Sequence, residues 1–356
     1  MTEGQSGGRP SGAAGATGAT ETHLERPYPA RYPRVILASV CLPWAADGSL
    51  IENIFRDQVR LHLAPGIRHL CVFGTAGEGY AVTDRQFDDV CGLFREEMRG
   101  EGVHSMIGVI SLSTGAMIER IERSMDLGFS SFQISLPAWG ALNDGELAEF
   151  FHEVVGRFPS AAFVHYNLQR AGRVLGPSDY VRLASEYPNL VAAKNGTGNL
   201  VTIHALLREA PMLRHFLTEL GYPQGCQLGE PGYLMSLTTM NPWVGVRFFE
   251  AGVRRDLTAL LGLQAEALEV FAELVGRAGA EVGTGALAGG PHMDGAYEKV
   301  LAKVLDERMP LRLLPPYQQV SEEAYVDFRQ RILERLPSWR PGPRMAVAGV
   351  PGGSRR

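Results

Sequence analysis

Short apolar runs alternate with amphipathic segments along most of the chain. Seven of the apolar runs are clear, and they are Val35–Val40, His69–Phe73, Ser105–Ile110, Ser131–Leu136, Ala162–Tyr166, Leu190–Lys194 and His215–Thr218. An eighth, weaker run covers about Tyr233–Leu237. The runs lack a clean alternation of apolar and polar residues, which is typical of parallel strands buried on both faces. The pattern therefore predicts a series of buried β-strands.

The segments between these runs carry the signals of helices. Thr83 and Gln86 have the spacing of a capping box, which would open a helix that runs to Met98. Ser113 can cap a helix to Leu127, with Gly128 just beyond its end. Other helical patterns cover Leu50–Leu63, Asp144–Phe158, Pro177–Glu186, Asn199–Ala210, about 245–275 and about 293–335.

A strand followed by a helix, repeated about every 30 residues, predicts βαβ units and a parallel sheet. Roughly eight such units favour a closed α/β barrel, a (β/α)8 TIM barrel with additional C-terminal helices. A doubly wound sheet is the alternative, and the lack of a G-x-G-x-x-G sequence after the first strand disfavours it. We expect a disordered tail over 1–30, the barrel over 31–275, a helical extension over 276–340 and a second disordered tail over 341–356.

Composition narrows the classes of partner. The 356 residues are 45% hydrophobic and 21% charged, with a net charge of −5, so neither nucleic acid nor a membrane surface is an expected partner. The four cysteines form no C-x-x-C pair, and no histidines stand at zinc-ligand spacing, so we expect no metal. No secretory signal or membrane span is evident, and the prediction is a cytoplasmic protein.

Polar residues follow several predicted strands, at the end where barrel enzymes hold their chemistry. Lys194 ends the apolar run from Leu190. Burial penalises a charged amine, and a neutral amine can attack a ketone to give an iminium, an electron sink for C–C cleavage or formation. A lysine that marks a strand end in solvent is the alternative interpretation.

Two further segments carry candidate chemistry. Tyr166 lies one βα unit before Lys194, where a phenol could shuttle protons, although it could also complete a core position with its hydroxyl. The loop Gly74–Gly79 could aim backbone N–H groups at a carboxylate, with Thr75 adding a hydroxyl, although an ordinary βα turn would look similar.

Together these segments resemble the dihydrodipicolinate synthase / N-acetylneuraminate lyase family. The family's G-T-T-G-E loop stands here as Gly74-Thr75-Ala76-Gly77-Glu78, and its Y-N-x-P segment as Tyr166-Asn167-Leu168-Gln169. Its lysine segment, G-I-K-E-x-T-G-N, stands as Ala192-Ala193-Lys194-Asn195-Gly196-Thr197-Gly198-Asn199. The resemblance covers about residues 35–340.

The resemblance implies a role for each matching residue. Lys194 would form the Schiff base, Tyr166 would be the acid/base phenol, and Thr75 would pass protons to Tyr166 and help to hold a keto-acid carboxylate. Arg170 would face the carboxylate of the second substrate. The other residues assigned to substrate binding are Ala76, Gly77, Glu78, Trp139, Thr218 and Ser236. The resemblance implies no metal or organic cofactor, and a homo-oligomer, a dimer or tetramer.

Several positions depart from the family's pattern. Ala76 replaces the second threonine of the loop, and Gln169 replaces the proline. Trp139 stands where lysine-pathway synthases carry a tyrosine of a proton relay, and an indole only donates. Thr218-Glu219 replaces a G-D-D-like ending, and Tyr222 follows it. These changes argue against the lysine-biosynthesis activity.

Three functions remain open from the sequence. The first is a class I aldolase or lyase that acts on pyruvate or a related 2-keto acid and an aldehyde or imine. The second is a hydro-lyase that eliminates water from a sugar-derived 2-keto acid through the same iminium. The third is a catalytically inactive barrel with a binding role, which Ala76 and Trp139 allow and which Lys194 and Tyr166 disfavour.

Overall fold

The computed structural model describes residues 30–282 and 295–342. Within these ranges, eight parallel strands form a closed barrel in which each strand pairs with its sequence neighbours and the last pairs with the first. The strands are β1 Ile36–Ser39, β2 His69–Val72, β3 His104–Gly108, β4 Ser131–Ile134, β5 Ala162–Asn167, β6 Leu190–Asn195, β7 Arg214–Leu217 and β8 Gly232–Met235. The predicted (β/α)8 barrel is confirmed, and each predicted run contains or overlaps one strand.

Helices follow the strands around the barrel and continue beyond it. They are α1 Glu52–Leu63, α2 Asp84–Glu97, α3 Thr114–Asp126, α4 Asp144–Phe151, α5 Pro177–Glu186, α6 Leu200–Glu209, α7 Tyr222–Leu228, α8 Pro242–Arg254, α9 Leu257–Val282, α10 Gly295–Leu305 and α11 Glu322–Arg335. The capping box of α2 forms as predicted, and the Ser113 hydroxyl accepts from the backbone N–H of Ala116 at the start of α3. Gly128 follows α3 in the left-handed conformation, with φ of +83°.

The C-terminal third differs from the predicted helices in three places. The helical pattern over about 245–275 is broken between α8 and α9, because Arg255 adopts a left-handed conformation and Asp256 accepts from the N–H of Ala259 at the start of the next helix. The pattern over about 293–335 contains a non-helical stretch, 306–321, in which Pro310, Pro315 and Pro316 lack backbone donors. Helix α7 was not predicted.

The predicted boundary between the barrel and the helical extension falls inside a helix. Helix α9 runs through residue 275, where we placed the end of the barrel. The two predicted disordered tails lie outside the described residues, apart from residues 30, 341 and 342. No helix in the described ranges is long and apolar enough to span a membrane.

The barrel interior is apolar towards the amino ends of the strands and polar towards their carboxyl ends. Side chains two residues apart on a strand point to the same side, so Val164 and Tyr166 on β5, and Ala192 and Lys194 on β6, all point inward. The lower positions form an apolar layer that includes Leu37, Cys71, Met106, Val164, Ala192, Phe216 and Leu234. The polar side chains of the next layer, towards the carboxyl ends of the strands, therefore lie directly above an apolar layer.

Three buried histidines make the barrel sensitive to acid. Burial lowers the pKa of His165 to about 3 and that of His215 to about 4. For His69, burial and then the stacked ring of His104, 4.2 Å away between centroids, lower the pKa to about 4. Their neutral forms are held by hydrogen bonds, such as the Tyr180 hydroxyl beside Nδ1 of His165 at 2.9 Å.

We therefore expect stability to fall as the pH falls from about 6.5 towards 4. Because these pKa values are lower in the folded protein than in the unfolded chain, the unfolded state binds more protons in that window. Each histidine lowers the free energy of unfolding by about 1.4 kcal/mol per pH unit. Urea unfolding at pH 7.5 and pH 5 measures this, and the exposed His204 provides the control, since His204→Gln is expected to leave the pH slope unchanged. Equal stability at both pH values would contradict the expectation.

Candidate active site

A cavity of about 560 Å³ opens at the carboxyl ends of the strands. This is the end of a parallel barrel where the strand-to-helix loops converge. Its lining includes seven of the ten residues predicted for the site, and these are Thr75, Ala76, Tyr166, Arg170, Lys194, Thr218 and Ser236. Most of the residues predicted for the site therefore lie in the wall of one cavity.

Lys194 lies at the bottom of this cavity and is only 2% exposed. Its Nζ donates to Oε1 of Gln133 at 2.6 Å and lies 3.7 Å from Sγ of Cys71. Among the described residues, no carboxylate oxygen lies within 4 Å of this nitrogen. An amine in such a place lacks a counter-ion that would favour its charged form.

Tyr166 is the in-register neighbour of Lys194 on the adjacent strand. This pairing brings the lysine Nζ to 4.6 Å from the centre of the phenol ring. The Tyr166 hydroxyl lies 3.4 Å from Oγ1 of Thr75, which is buried in the loop after β2. An amine, a phenol and an alcohol thus lie together, and the two hydroxyl groups are close enough to exchange a proton.

The loop that carries Thr75 has a strained and close-packed backbone. Phe73 and Glu78 both have positive φ, at 63° and 49°, although neither is glycine. A Cβ at Gly79 would lie 2.2 Å from the carbonyl oxygen of Phe73, and one at Gly77 would lie 2.6 Å from its nitrogen. Only glycines fit these two positions, and the tight loop fixes where Thr75 points.

Glu78 anchors this loop from below. Its Oε1 lies 3.0 Å from Nζ of Lys299 and accepts from Nε1 of Trp44 at 2.9 Å, and its Oε2 accepts from the backbone N–H of Leu314 at 2.7 Å. Both members of the ion pair are fully buried. Lys299 also donates to the carbonyl oxygens of Leu42 and Arg312, so its charge is fully hydrogen-bonded.

Three residues assigned to substrate binding do not line the cavity. Glu78 is occupied by the contacts just described, and Gly77 is packed against the backbone of Phe73. Trp139, in the loop after β4, projects into solvent and is 90% exposed.

The far wall of the cavity is polar. Glu219, at the end of β7, is buried, and its Oε1 accepts from the Tyr233 hydroxyl, from Thr238 and from the N–H of Ser236. The Ser236 hydroxyl donates to Glu298 of α10 at 3.3 Å. Thr218 lines the cavity, and its Oγ1 is buried and has no hydrogen-bond partner among the described residues.

The polar side chains of the site that were not predicted from the sequence include Gln133 and Glu298. Gln133 is a buried polar residue at an inward position of strand β4, and its place within a predicted buried strand was the signal that could have marked it. Glu298 reaches the cavity from α10, more than 100 residues beyond Lys194, and no local pattern could place it there. In the described ranges, no three His, Cys, Asp or Glu side chains form a group that could hold a metal ion.

Comparisons with known proteins agree with this geometry. A profile of the dihydrodipicolinate synthetase family matches residues 32–282. A 4-hydroxy-tetrahydrodipicolinate synthase from Exiguobacterium is 23% identical over 243 residues, which is 67% of this chain and 82% of that protein.

Solved structures share the fold at lower sequence identity. YagE, an E. coli prophage protein of the dihydrodipicolinic acid synthase family solved in complex with pyruvate, has a TM-score of 0.74 and 16% identity, over 85% of this chain and 98% of that one. The N-acetylneuraminate lyase of Proteus mirabilis has a TM-score of 0.71 and 18% identity over the same shares. The family match over most of the chain identifies this protein as a member of the dihydrodipicolinate synthase / N-acetylneuraminate lyase family of carbon–carbon lyases and synthases.

Proposed function

We propose that this protein is a class I aldolase or lyase in which Lys194 forms a Schiff base with pyruvate or a related 2-keto acid. The enzyme then makes or breaks a C–C bond to an aldehyde or imine. One observation carries the proposal, namely a buried amine 4.6 Å from the ring of a phenol whose hydroxyl lies 3.4 Å from a threonine hydroxyl. These are the groups that condensation of an amine with a ketone requires.

The proposed steps use the three groups in turn. The neutral amine of Lys194 adds to the keto carbon while the Tyr166 hydroxyl gives a proton to the carbonyl oxygen. The nitrogen then releases one of its N–H protons to the Tyr166 oxygen, with Thr75 in the relay, and Tyr166 passes this proton to the carbinolamine hydroxyl, which leaves as water and gives the iminium. The Tyr166 oxygen takes a proton from the carbon beside the iminium to give an enamine, which attacks the electrophilic partner, and hydrolysis then restores the amine.

The walls of the cavity suit a keto acid and a polar partner. In this proposal the Thr75 hydroxyl and the backbone N–H groups that follow it hold the keto-acid carboxylate. Ala76 supplies no second hydroxyl, a loss on the order of 1.5–3 kcal/mol if nothing replaces it. Arg170, Thr218 and Ser236 line the wall that would contact the second substrate.

Ala76 and Trp139 favour an acceptor substrate other than that of the lysine-pathway synthase. Trp139 replaces the relay tyrosine and is exposed in this chain, and Ala76 removes a hydroxyl from the loop. Measuring pyruvate release from candidate substrates separates an aldolase from a hydro-lyase, because dehydration of a sugar-derived keto acid releases no pyruvate.

Location and assembly form part of the proposal. All four cysteines are buried free thiols, which suits the reducing cytoplasm. The exposed indole of Trp139 would be covered in a homo-oligomer, a dimer or tetramer. Size-exclusion chromatography with light scattering measures the assembly.

The first test needs no knowledge of the acceptor. Formation of the enamine makes the methyl protons of bound pyruvate exchange with solvent, and NMR in deuterium oxide follows this exchange directly. The protein is expected to accelerate the exchange well above the rate of pyruvate alone. An unaccelerated exchange would count against pyruvate, and repeating the assay with other 2-keto acids would then decide the reaction class.

Replacing Tyr166 with phenylalanine is expected to slow the exchange by about 10²-fold or more, because the carbinolamine loses its proton donor. Tyr187→Phe is a matched control, since its hydroxyl donates to Glu186 and the residue does not line the cavity. If both variants exchange pyruvate protons at the unmodified rate, Tyr166 has no part in the mechanism.

A further inference from the structure

Gln133 stands beside the reactive amine without a role in the steps above. It is fully buried, on the inward side of β4 between the outward Phe132 and Ile134. Its Oε1 accepts the hydrogen bond from Lys194 at 2.6 Å, the shortest contact made by that nitrogen. A long polar side chain in the core of a barrel costs free energy unless its contacts repay it.

The surroundings of this amide hold it in place. A Cβ at Gly74 would lie 3.4 Å from Nε2 and 3.7 Å from Oε1 of Gln133, so the amide packs against the first residue of the loop that carries Thr75. Nε2 has no hydrogen-bond partner among the described residues. The contact to Lys194 is therefore the polar interaction that the side chain makes in the described structure.

We infer that Gln133 is a positioning residue, which orients the Lys194 amine for attack and keeps it free of a counter-ion; the inference rests on the proposed Schiff-base function. A neutral amine has two N–H groups and one lone pair. Because an amide oxygen only accepts, Oε1 takes an N–H group, and the sulfur of Cys71 at 3.7 Å is a weak acceptor for the second. The lone pair is then left for the carbonyl carbon in the cavity.

The same contact serves after condensation. The iminium nitrogen keeps one N–H group, which now carries positive charge and makes a stronger, charge-assisted hydrogen bond to the same oxygen. A carboxylate in this position would also accept, but it would favour the ammonium form of the free lysine and remove the nucleophile. The neutral amide oxygen of Gln133 can therefore accept a hydrogen bond from the iminium without favouring the ammonium form of the free lysine.

Two variants separate orientation from simple packing. Gln133→Glu keeps the shape and adds a charge, and Gln133→Met keeps the length and removes the acceptor. Gln227→Glu, at an exposed position of α7, is the control for the added charge. Thermal unfolding of each variant shows that it is folded before its chemistry is compared.

Two readouts are measured on each variant over a range of pH. The first is acetylation of Lys194 by acetic anhydride, located by mass spectrometry, which reports the free amine without any substrate. The second is the proton exchange of pyruvate. Gln133→Glu is expected to move the midpoint of Lys194 acetylation up by about one pH unit or more and to slow exchange at pH 7 by about 10-fold or more. Gln133→Met is expected to slow exchange by about 10-fold without raising that midpoint.

The outcomes distinguish the two proposals. If the unmodified protein exchanges pyruvate protons and Gln133→Glu keeps its pH profile in both readouts, the inference about Gln133 is wrong and the proposed function stands. A wild-type exchange rate in Gln133→Met would overturn it in the same way. If Lys194 is acetylated normally but the unmodified protein exchanges protons of no 2-keto acid, the proposed function fails and the catalytic role of Gln133 fails with it.

Discussion

Replacing Lys194 with alanine is expected to abolish the proton exchange of 2-keto acids and all turnover that depends on it. The chain has three lysines, and the other two are Lys299 and Lys303. Lys299 is fully buried in its ion pair with Glu78, and Lys303 pairs with Glu322 on the C-terminal helices. Neither lines the cavity, so no other side-chain amine can take over the covalent step.

The control for this prediction is Lys303→Ala, which removes an amine from α10 outside the cavity. It is expected to exchange pyruvate protons at the unmodified rate. Lys194→Arg adds a second check, because it keeps a positive charge near Tyr166 but supplies no neutral amine. Exchange that survives in Lys194→Ala would refute the covalent mechanism.

Replacing Lys299 with methionine is expected to destabilise the fold by about 3–5 kcal/mol, because it leaves the buried carboxylate of Glu78 without its partner. Burial lowers the pKa of Lys299 in spite of the neighbouring carboxylate, so the pair already carries a large desolvation cost. The two charges connect α10 to the loop after β2. Urea unfolding measures the change, and loss of Thr75 alignment is expected to slow pyruvate exchange as well.

The double variant Lys299→Met with Glu78→Gln tests the reason for this loss. Removing both charges takes away the unpaired carboxylate, so the double variant is expected to recover part of the lost stability. Arg85→Met is the surface control, since Arg85 and Asp89 form an exposed pair 3.9 Å apart, and no measurable change is expected there. A Lys299→Met protein as stable as the unmodified one would show that the pair does not hold the loop.

The fold could be predicted because its strands and helices have strong local patterns. Buried parallel strands are visible in the sequence as apolar runs. Capping residues such as Thr83 and Ser113 mark the starts of helices, because their side chains bond the first free backbone N–H groups. The break after α8 could not be predicted in this way, since the left-handed conformation of Arg255 is uncommon for a residue other than glycine. Helix α7 was missed because Pro223 and Gly225 lower its helical signal.

The site could be predicted to the extent that its groups lie at strand ends. The topology alone brings three of these groups to the same end of the barrel, because each of them lies near the carboxyl end of a strand or just after it: Lys194, Tyr166 and Thr75. Glu78 was assigned to the substrate from its place in the loop motif, but its carboxylate turns away from the cavity to Lys299, a partner 221 residues further along the chain. Gln133 was missed because its partner is set by the barrel's layers and not by neighbouring sequence.

Borohydride trapping with a panel of 2-keto acids tests the central claim most directly. Reduction of the iminium leaves a stable secondary amine whose mass identifies the keto acid, and the small number of lysines makes the modified peptide unambiguous. We expect an adduct on the peptide that contains Lys194, formed with pyruvate or a close relative and absent in Lys194→Ala. No adduct with any keto acid, or an adduct confined to Lys299 or Lys303, would contradict it and favour a barrel that binds without catalysis.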